Sequence, residues 1–90
     1  MYLHLGQDTV IKMDEIIGIF DMENSTVSRI TRDYLAAAEK AGRVINVSME
    51  MPKSFVLCRE ETGKTTVYIS QISTATLRKR TGFVEGLANL

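Results

Sequence analysis

The sequence has little of the residue types that build disulfide frameworks, zinc centres and membrane spans. Its 90 residues contain one cysteine, one histidine, one proline and no tryptophan. The cysteine, Cys58, cannot close a disulfide within the chain, and with His4 it supplies too few ligands for a zinc site. The longest apolar runs reach about five residues, whereas a membrane-spanning helix needs roughly 20. We therefore predict a protein without a metal centre or a membrane helix.

The chain also lacks a net charge, because 11 Lys and Arg residues balance 11 Asp and Glu residues. The balance is uneven along the sequence. The first 24 residues carry a net charge of −4, and the remaining 66 carry +4. Such a distribution can steer a polyanion or pair subunits head to tail, although the neutral total gives no bulk preference for nucleic acid.

The length and composition indicate one small domain. The apolar fraction of 44% and the charged fraction of 24% are ordinary for a folded domain. A chain of this size buries roughly 64% of its extended surface, which allows one thin core and favours self-association over a deep enzyme cleft. The first five residues lack the basic region and the apolar stretch of a signal peptide. We therefore predict a cytoplasmic protein.

Alternation of apolar residues, punctuated by turn residues, predicts the order β-β-β-α-β-β-β-α. This is an α+β domain with a small, mostly antiparallel sheet, one long helix and a short C-terminal helix. The predicted strands cover Tyr2–Leu5, Thr9–Lys12, Ile16–Phe20, Arg43–Ser48, Phe55–Arg59 and Thr66–Ser70, and the predicted helices cover residues 26–41 and 75–80. We place a single domain at residues 1–81 and a C-terminal tail at residues 82–90.

Two of these elements carry predictions about packing. The run Ile16–Phe20 is apolar on both faces, as expected for a central strand. In the long helix, spacings of three and four residues predict a buried stripe. Its members are Val27, Ile30, Tyr34, Leu35, Ala38 and Ala41.

No arrangement of residues predicts catalysis. Gly63-Lys64-Thr65 resembles the end of a phosphate-binding loop, but Cys58 occupies the place of the required first glycine. The adjacent acids Asp14-Glu15 and Glu60-Glu61 would point to opposite sides of an extended chain, so neither doublet makes an acid–base pair. We predict that the protein is not an enzyme and binds no cofactor.

The basic residues offer a surface for a polyanion. Arg78, Lys79 and Arg80 form the densest positive cluster, which could contact phosphates or neutralise the end of a helix. Spacing also places a second set on one face of the long helix, namely Arg29, Arg32, Lys40 and Arg43. The simpler interpretation of this set is a solvated face that forms local ion pairs such as Arg29 with Asp33.

Apolar residues in a predicted loop and in an apolar strand predict an oligomer. Met49 and Met51 lie beside Pro52 in a predicted loop, where flexible apolar side chains are typical of an interface. Ile17 and Ile19, in the apolar strand, are the other interface residues that we predict.

Several segments together resemble a known family. They are Tyr2-Leu3-His4-Leu5-Gly6, the strand Ile16-Ile17-Gly18-Ile19-Phe20-Asp21, Pro52-Lys53-Ser54-Phe55-Val56, and the run from Ser70-Gln71-Ile72-Ser73 to Arg78-Lys79-Arg80. In their order and spacing they are similar to the RemA/RemB family of extracellular matrix (biofilm) regulators of Firmicutes. The resemblance extends over residues 1 to about 81.

The resemblance implies a cytoplasmic transcriptional regulator that binds double-stranded DNA as a ring-like homo-oligomer, with a fold likened to LytTR-type domains. Family members carry consecutive arginines in a loop that here reads Met49-Glu50-Met51-Pro52-Lys53-Ser54, and a further family arginine corresponds to Glu15. We expect DNA contacts from Lys53, Arg78, Lys79 and Arg80, then from Arg29 and Arg32. The alternative is an oligomeric interaction module that works with a RemA-like paralogue and does not bind DNA itself.

Overall fold

The computed structural model describes residues 1–25 and 28–81, and its elements follow the predicted order. The strands are β1 (Tyr2–Gly6), β2 (Thr9–Lys12), β3 (Ile16–Asp21), β4 (Val44–Asn46), β5 (Ser54–Arg59) and β6 (Thr65–Ser70). The helices are the single turn α1 (Met22–Ser25), α2 (Arg29–Lys40) and α3 (Thr74–Thr81), and a 3₁₀ turn at Met13–Glu15 precedes β3. The α+β class is confirmed. The likeness to LytTR-type domains stays a prediction, and the predicted tail lies outside the described residues.

Four strands form one sheet in the order β3-β5-β6-β4. Strand β5 is antiparallel to both β3 and β6, and β4 is parallel to β6. Strands β1 and β2 form a separate antiparallel hairpin. The prediction of mostly antiparallel pairing is therefore confirmed, with β4 as the parallel exception.

Both faces of the four-stranded sheet are covered. The hairpin and α3 lie on one face, and α2 lies on the other. The buried residues on the hairpin face are Leu3, Leu5, Ile11, Val47, Val56, Cys58 and Leu77, and those on the α2 face are Ala38, Phe55 and Val67. The molecule is therefore a three-layer arrangement with the four-stranded sheet in the middle.

Strand β3 is an edge strand, so the prediction of a central strand is wrong. Among the described strands it pairs only with β5, and Ile17 beside its bulge is 55% exposed. The run is apolar on both faces because layers cover both sides of the sheet. Ile19 packs against the core under the hairpin, and Phe20 stacks on Phe55 with ring centroids 5.0 Å apart on the other face.

The buried stripe of α2 differs from the predicted one. Leu35 and Ala38 face the core, whereas Ile30 is 82% exposed and Tyr34 is 38% exposed. Val27 lies outside the described residues. Because apolar residues cover two adjacent sides of this helix, their spacing alone could not identify the side that packs on the sheet.

Candidate nucleic-acid interface

The C-terminal helix α3 presents the densest basic cluster of the sequence to solvent. The hydroxyl of Ser73 accepts a hydrogen bond from the N–H of Thr76 (3.2 Å), which fixes the start of the helix. Leu77 is fully buried in the core and anchors the helix to the sheet. The following cluster, Arg78, Lys79 and Arg80, is exposed. We call these three residues the α3 cluster.

The three cations of the α3 cluster differ in their contacts. Arg80 donates a hydrogen bond from Nη1 to the carbonyl oxygen of His4 (3.0 Å), which ties the end of α3 to β1. Among residues 1–25 and 28–81, Arg78 and Lys79 make no side-chain ion pair or hydrogen bond. Two cations of the cluster are therefore available to an incoming anion, and the third is held beside them.

Lys53 lies in a loop whose backbone is fixed on both sides. Its N–H donates to the carbonyl oxygen of Ser70 at the end of β6, and its own carbonyl oxygen accepts from the N–H of Met22 in α1; both bonds measure 2.9 Å. The Lys53 side chain is exposed. The structure thus places this cation at a defined point, next to the connection that leads into α3.

Two fully buried serines join this loop to the rest of the molecule. Ser54 Oγ donates to the carbonyl oxygen of Ile72 (2.7 Å), just before α3. Ser70 Oγ donates to the carbonyl oxygen of Leu5 in β1 (2.7 Å) and accepts from the N–H of Ile72 (3.0 Å). These bonds hold Lys53, the start of α3 and the hairpin together. Sequence reasoning missed both serines, although Ser54 and Ser70 each lie in one of the segments that carry the family resemblance.

The basic residues of α2 lie on the other side of the molecule. Arg29 forms the predicted ion pair with Asp33 at 3.8 Å, and both side chains are strongly exposed (87% and 73%). Such a pair contributes at most about 0.5 kcal/mol and leaves Arg29 able to exchange partners. Arg32 is also exposed. Because the four-stranded sheet separates α2 from α3, the structure does not bring these two residues to the α3 cluster.

Arg43 does not share the face of α2 that its spacing predicted. It lies beyond the end of the helix, where Nη1 donates to Thr65 Oγ1 at 2.6 Å and the guanidinium lies 5.8 Å from the centre of the Tyr34 ring. The hydrogen bond from Arg43 lowers the pKa of the Tyr34 hydroxyl, with a smaller contribution from Thr65. Arg43 therefore joins α2, β4 and β6.

The predicted interface residues occupy different environments. Met49 is 100% exposed and Met51 is 82% exposed, both in the loop between β4 and β5. Ile17 is exposed at the edge of β3, whereas Ile19 packs against the core. Met49 also lines an open groove of about 570 Å³, together with Gln7, Asn46, Val47, Ser48 and Glu50. Three of the four positions are thus accessible to a second molecule.

The other residues considered for chemistry are dispersed. Burial raises the pKa of the Cys58 thiol to about 11, so the thiol is neutral near pH 7. His4 is exposed, and its Nε2 lies 2.6 Å from the carbonyl oxygen of Gln7. Within the part of the chain that the structure describes, no group of His, Cys, Asp and Glu could hold a metal ion. In that same part, no helix is long and apolar enough to cross a membrane.

The fold and its surface define a small α+β domain with a basic helix on its outside. The chain belongs to the RemA-like family, described as extracellular matrix regulatory protein A-like, whose model matches residues 2–81. It is 33% identical over 84 residues to Extracellular matrix regulatory protein B of Bacillus subtilis (strain 168). The aligned segment covers 93% of this chain and 94% of that relative. The resemblance found in the sequence is confirmed, and the family is one of extracellular matrix regulators.

Proposed function

We propose that this protein is a non-enzymatic, DNA-binding transcriptional regulator of extracellular matrix (biofilm) genes. It acts in the cytoplasm as a ring-like homo-oligomer, and each protomer contacts DNA phosphates through the α3 cluster and Lys53. Arg29 and Arg32 contribute from the opposite side of the sheet. Membership of a family of extracellular matrix regulators supports the biological role.

The exposed α3 cluster is the observation that carries the DNA-binding proposal. Three consecutive cations extend from a helix that Leu77 fixes in the core, and no acidic residue lies within α3. Phosphate contacts need positive charge at a fixed position, and they do not need a base-reading element. A rigid helix that carries these cations meets that requirement.

Lys53 extends this surface. Its backbone hydrogen bonds to Ser70 and Met22 fix the loop at the end of the sheet where α3 begins. One protomer offers few cations for phosphate contacts, and the negative charge of Glu50 in the same loop repels phosphate. Repetition of the surface around an oligomer multiplies these contacts through avidity.

Removal of the α3 cluster tests this assignment. In Arg78→Ala/Lys79→Ala/Arg80→Ala, we expect the slope of log Kd against log salt to flatten by about 0.9 for each DNA phosphate that a protomer no longer neutralises. We expect weaker binding on every duplex sequence. The matched control is Lys12→Ala/Arg59→Ala/Lys64→Ala, which removes the same charge from exposed positions elsewhere. Equal affinity of the α3 variant and the native protein at low salt would contradict the assignment.

A second candidate function rests on the methionine loop. Met49 and Met51 are almost fully exposed, and the loop also carries Glu50. Exposed methionines adapt to apolar partner surfaces, and an acid beside them disfavours phosphate. In this alternative the oligomer binds a basic RemA-like paralogue and does not contact DNA itself. DNA binding that appears only when the paralogue is added would favour it.

A further inference from the structure

Helix α2 has an apolar side that the other residues described by the structure do not cover. Ile30 and Tyr34 are 82% and 38% exposed, and Ala37 and Ala41 are also exposed. Their spacings of four, three and four residues place all four on one side of the helix. We call these four residues the α2 stripe. It lies beside the side that packs on the sheet through Leu35 and Ala38.

We infer that the α2 stripe contacts the same stripe of a second copy of this chain, with the two helices antiparallel about a two-fold axis. This contact differs from a head-to-tail ring contact, because here the same surface is used on both copies. It also does not depend on DNA binding.

The sizes of the side chains favour the antiparallel arrangement. The stripe has its large residues in the first half of α2 and its alanines towards the end. When one helix is reversed against the other, Ile30 lies opposite Ala41 of the second copy, and Tyr34 lies opposite Ala37. Each large side chain then meets a small one, which allows the helices to pack closely. A parallel pair would place Ile30 on Ile30 and leave the alanines facing a gap.

The charges beside the stripe favour the same arrangement. Asp33 and Lys40 both lie on the flank of the stripe that faces away from the sheet, seven residues apart. In an antiparallel pair with a two-fold axis, this flank faces itself. Asp33 of each copy then lies close to Lys40 of the other, which gives two ion pairs of opposite charge. In a parallel pair, the two flanks that carry Asp33 and Lys40 would lie on opposite sides of the contact, and these ion pairs could not form.

The packing of Tyr34 supports a contact role. The Arg43 guanidinium lies 5.8 Å from the centre of its ring and restricts the side chain before any partner arrives. Tyr34 therefore loses less side-chain conformational entropy when a second copy binds. Since α2 spans only 12 residues, the paired area falls below the roughly 1,200 Å² of stable interfaces. We therefore expect a weak contact that gains strength when an oligomer repeats it.

Cross-linking between two variants with one introduced cysteine each tests the arrangement. Ile30→Cys and a tagged Ala41→Cys are mixed without DNA and treated with a short bis-maleimide. The native Cys58 is only 3% exposed and should not react. We expect the mixed dimer to form at least fivefold faster than either homodimer. We also expect Asp33→Lys, added to both proteins, to lower the yield severalfold and the combination Asp33→Lys/Lys40→Asp to restore it.

The control is Glu39→Cys, which lies on the opposite side of α2 from the stripe. In the control, Glu39→Cys replaces Ala41→Cys as the partner of Ile30→Cys. If Ile30→Cys cross-links to Ala41→Cys no better than to Glu39→Cys, the stripe is not a contact. Predominant homodimers of Ile30→Cys would establish a parallel arrangement and overturn the proposal. All substituted positions are exposed, so the variants should fold, and circular dichroism checks this.

Discussion

At the scale of single residues, Gly18 and Phe20 depend on each other. They lie two positions apart on β3 and share the face that α2 covers. A Cβ atom on residue 18 would lie 2.6 Å from Cζ and 2.7 Å from Cε2 of the Phe20 ring. The same ring stacks on Phe55 at an interplanar angle of 20°. The absence of a side chain at position 18 therefore allows the Phe20 ring to lie over Gly18 and stack on Phe55.

We expect Gly18→Ala to destabilise the fold by about 1–3 kcal/mol, because the Phe20 ring must leave its place on Phe55. Urea unfolding measures the change in the free energy of unfolding. In a Phe20→Leu background, which lacks the ring, the same substitution should cost much less. Equal costs in the two backgrounds would contradict this explanation of Gly18.

The residues around Lys53 illustrate which parts of the candidate site the sequence could reveal. Arg78, Lys79 and Arg80 are neighbours in the chain, so the sequence alone indicates a cluster. The two serine bonds join residues 18 and 65 positions apart, and nothing in the local sequence indicates those partners. Composition and spacing can identify a cation, but the contacts that fix its position arise only when distant segments pack together.

At the scale of elements, the order of strands and helices followed from the sequence, but their neighbours did not. The continuous apolar run that predicts β3 is the same in a central strand and in an edge strand whose two faces are both covered. In α2, the stripe with Ile30 and the side with Leu35 are adjacent and both apolar. Periodicity gives the type of element, and only packing decides which side is buried.

The two sides of α2 should respond differently to truncation. We expect Leu35→Ala to cost about 1–3 kcal/mol of folding free energy, because Leu35 packs against the core beneath the helix. Ile30→Ala should cost less than about 0.5 kcal/mol, because this side chain is exposed in the single chain. Urea unfolding at one low protein concentration compares the variants without a contribution from association. A larger cost for Ile30→Ala than for Leu35→Ala would contradict the observed packing of α2.

At the scale of the whole molecule, charge is separated along the sheet. Lys53 and the start of α3 lie at one end of β5. At the other end, a shallow depression of about 180 Å³ is lined by Asp14, Glu15, Glu60 and Glu61, with Lys12 and Arg59. The acidic end repels a polyanion and the α3 cluster attracts one. We therefore expect this arrangement to orient DNA towards α3, even though the net charge of the chain is zero.

The proposed function requires an oligomer of this protein to hold DNA by its phosphates. The most direct test is the fluorescence anisotropy of a labelled duplex of about 50 base pairs, long enough for several protomers to bind. The duplex is titrated with protein at several salt concentrations, and light scattering gives the mass of the same sample. We expect an oligomer whose log affinity for the duplex falls steeply and linearly with log salt. An oligomer that does not bind the duplex even at low salt would contradict it.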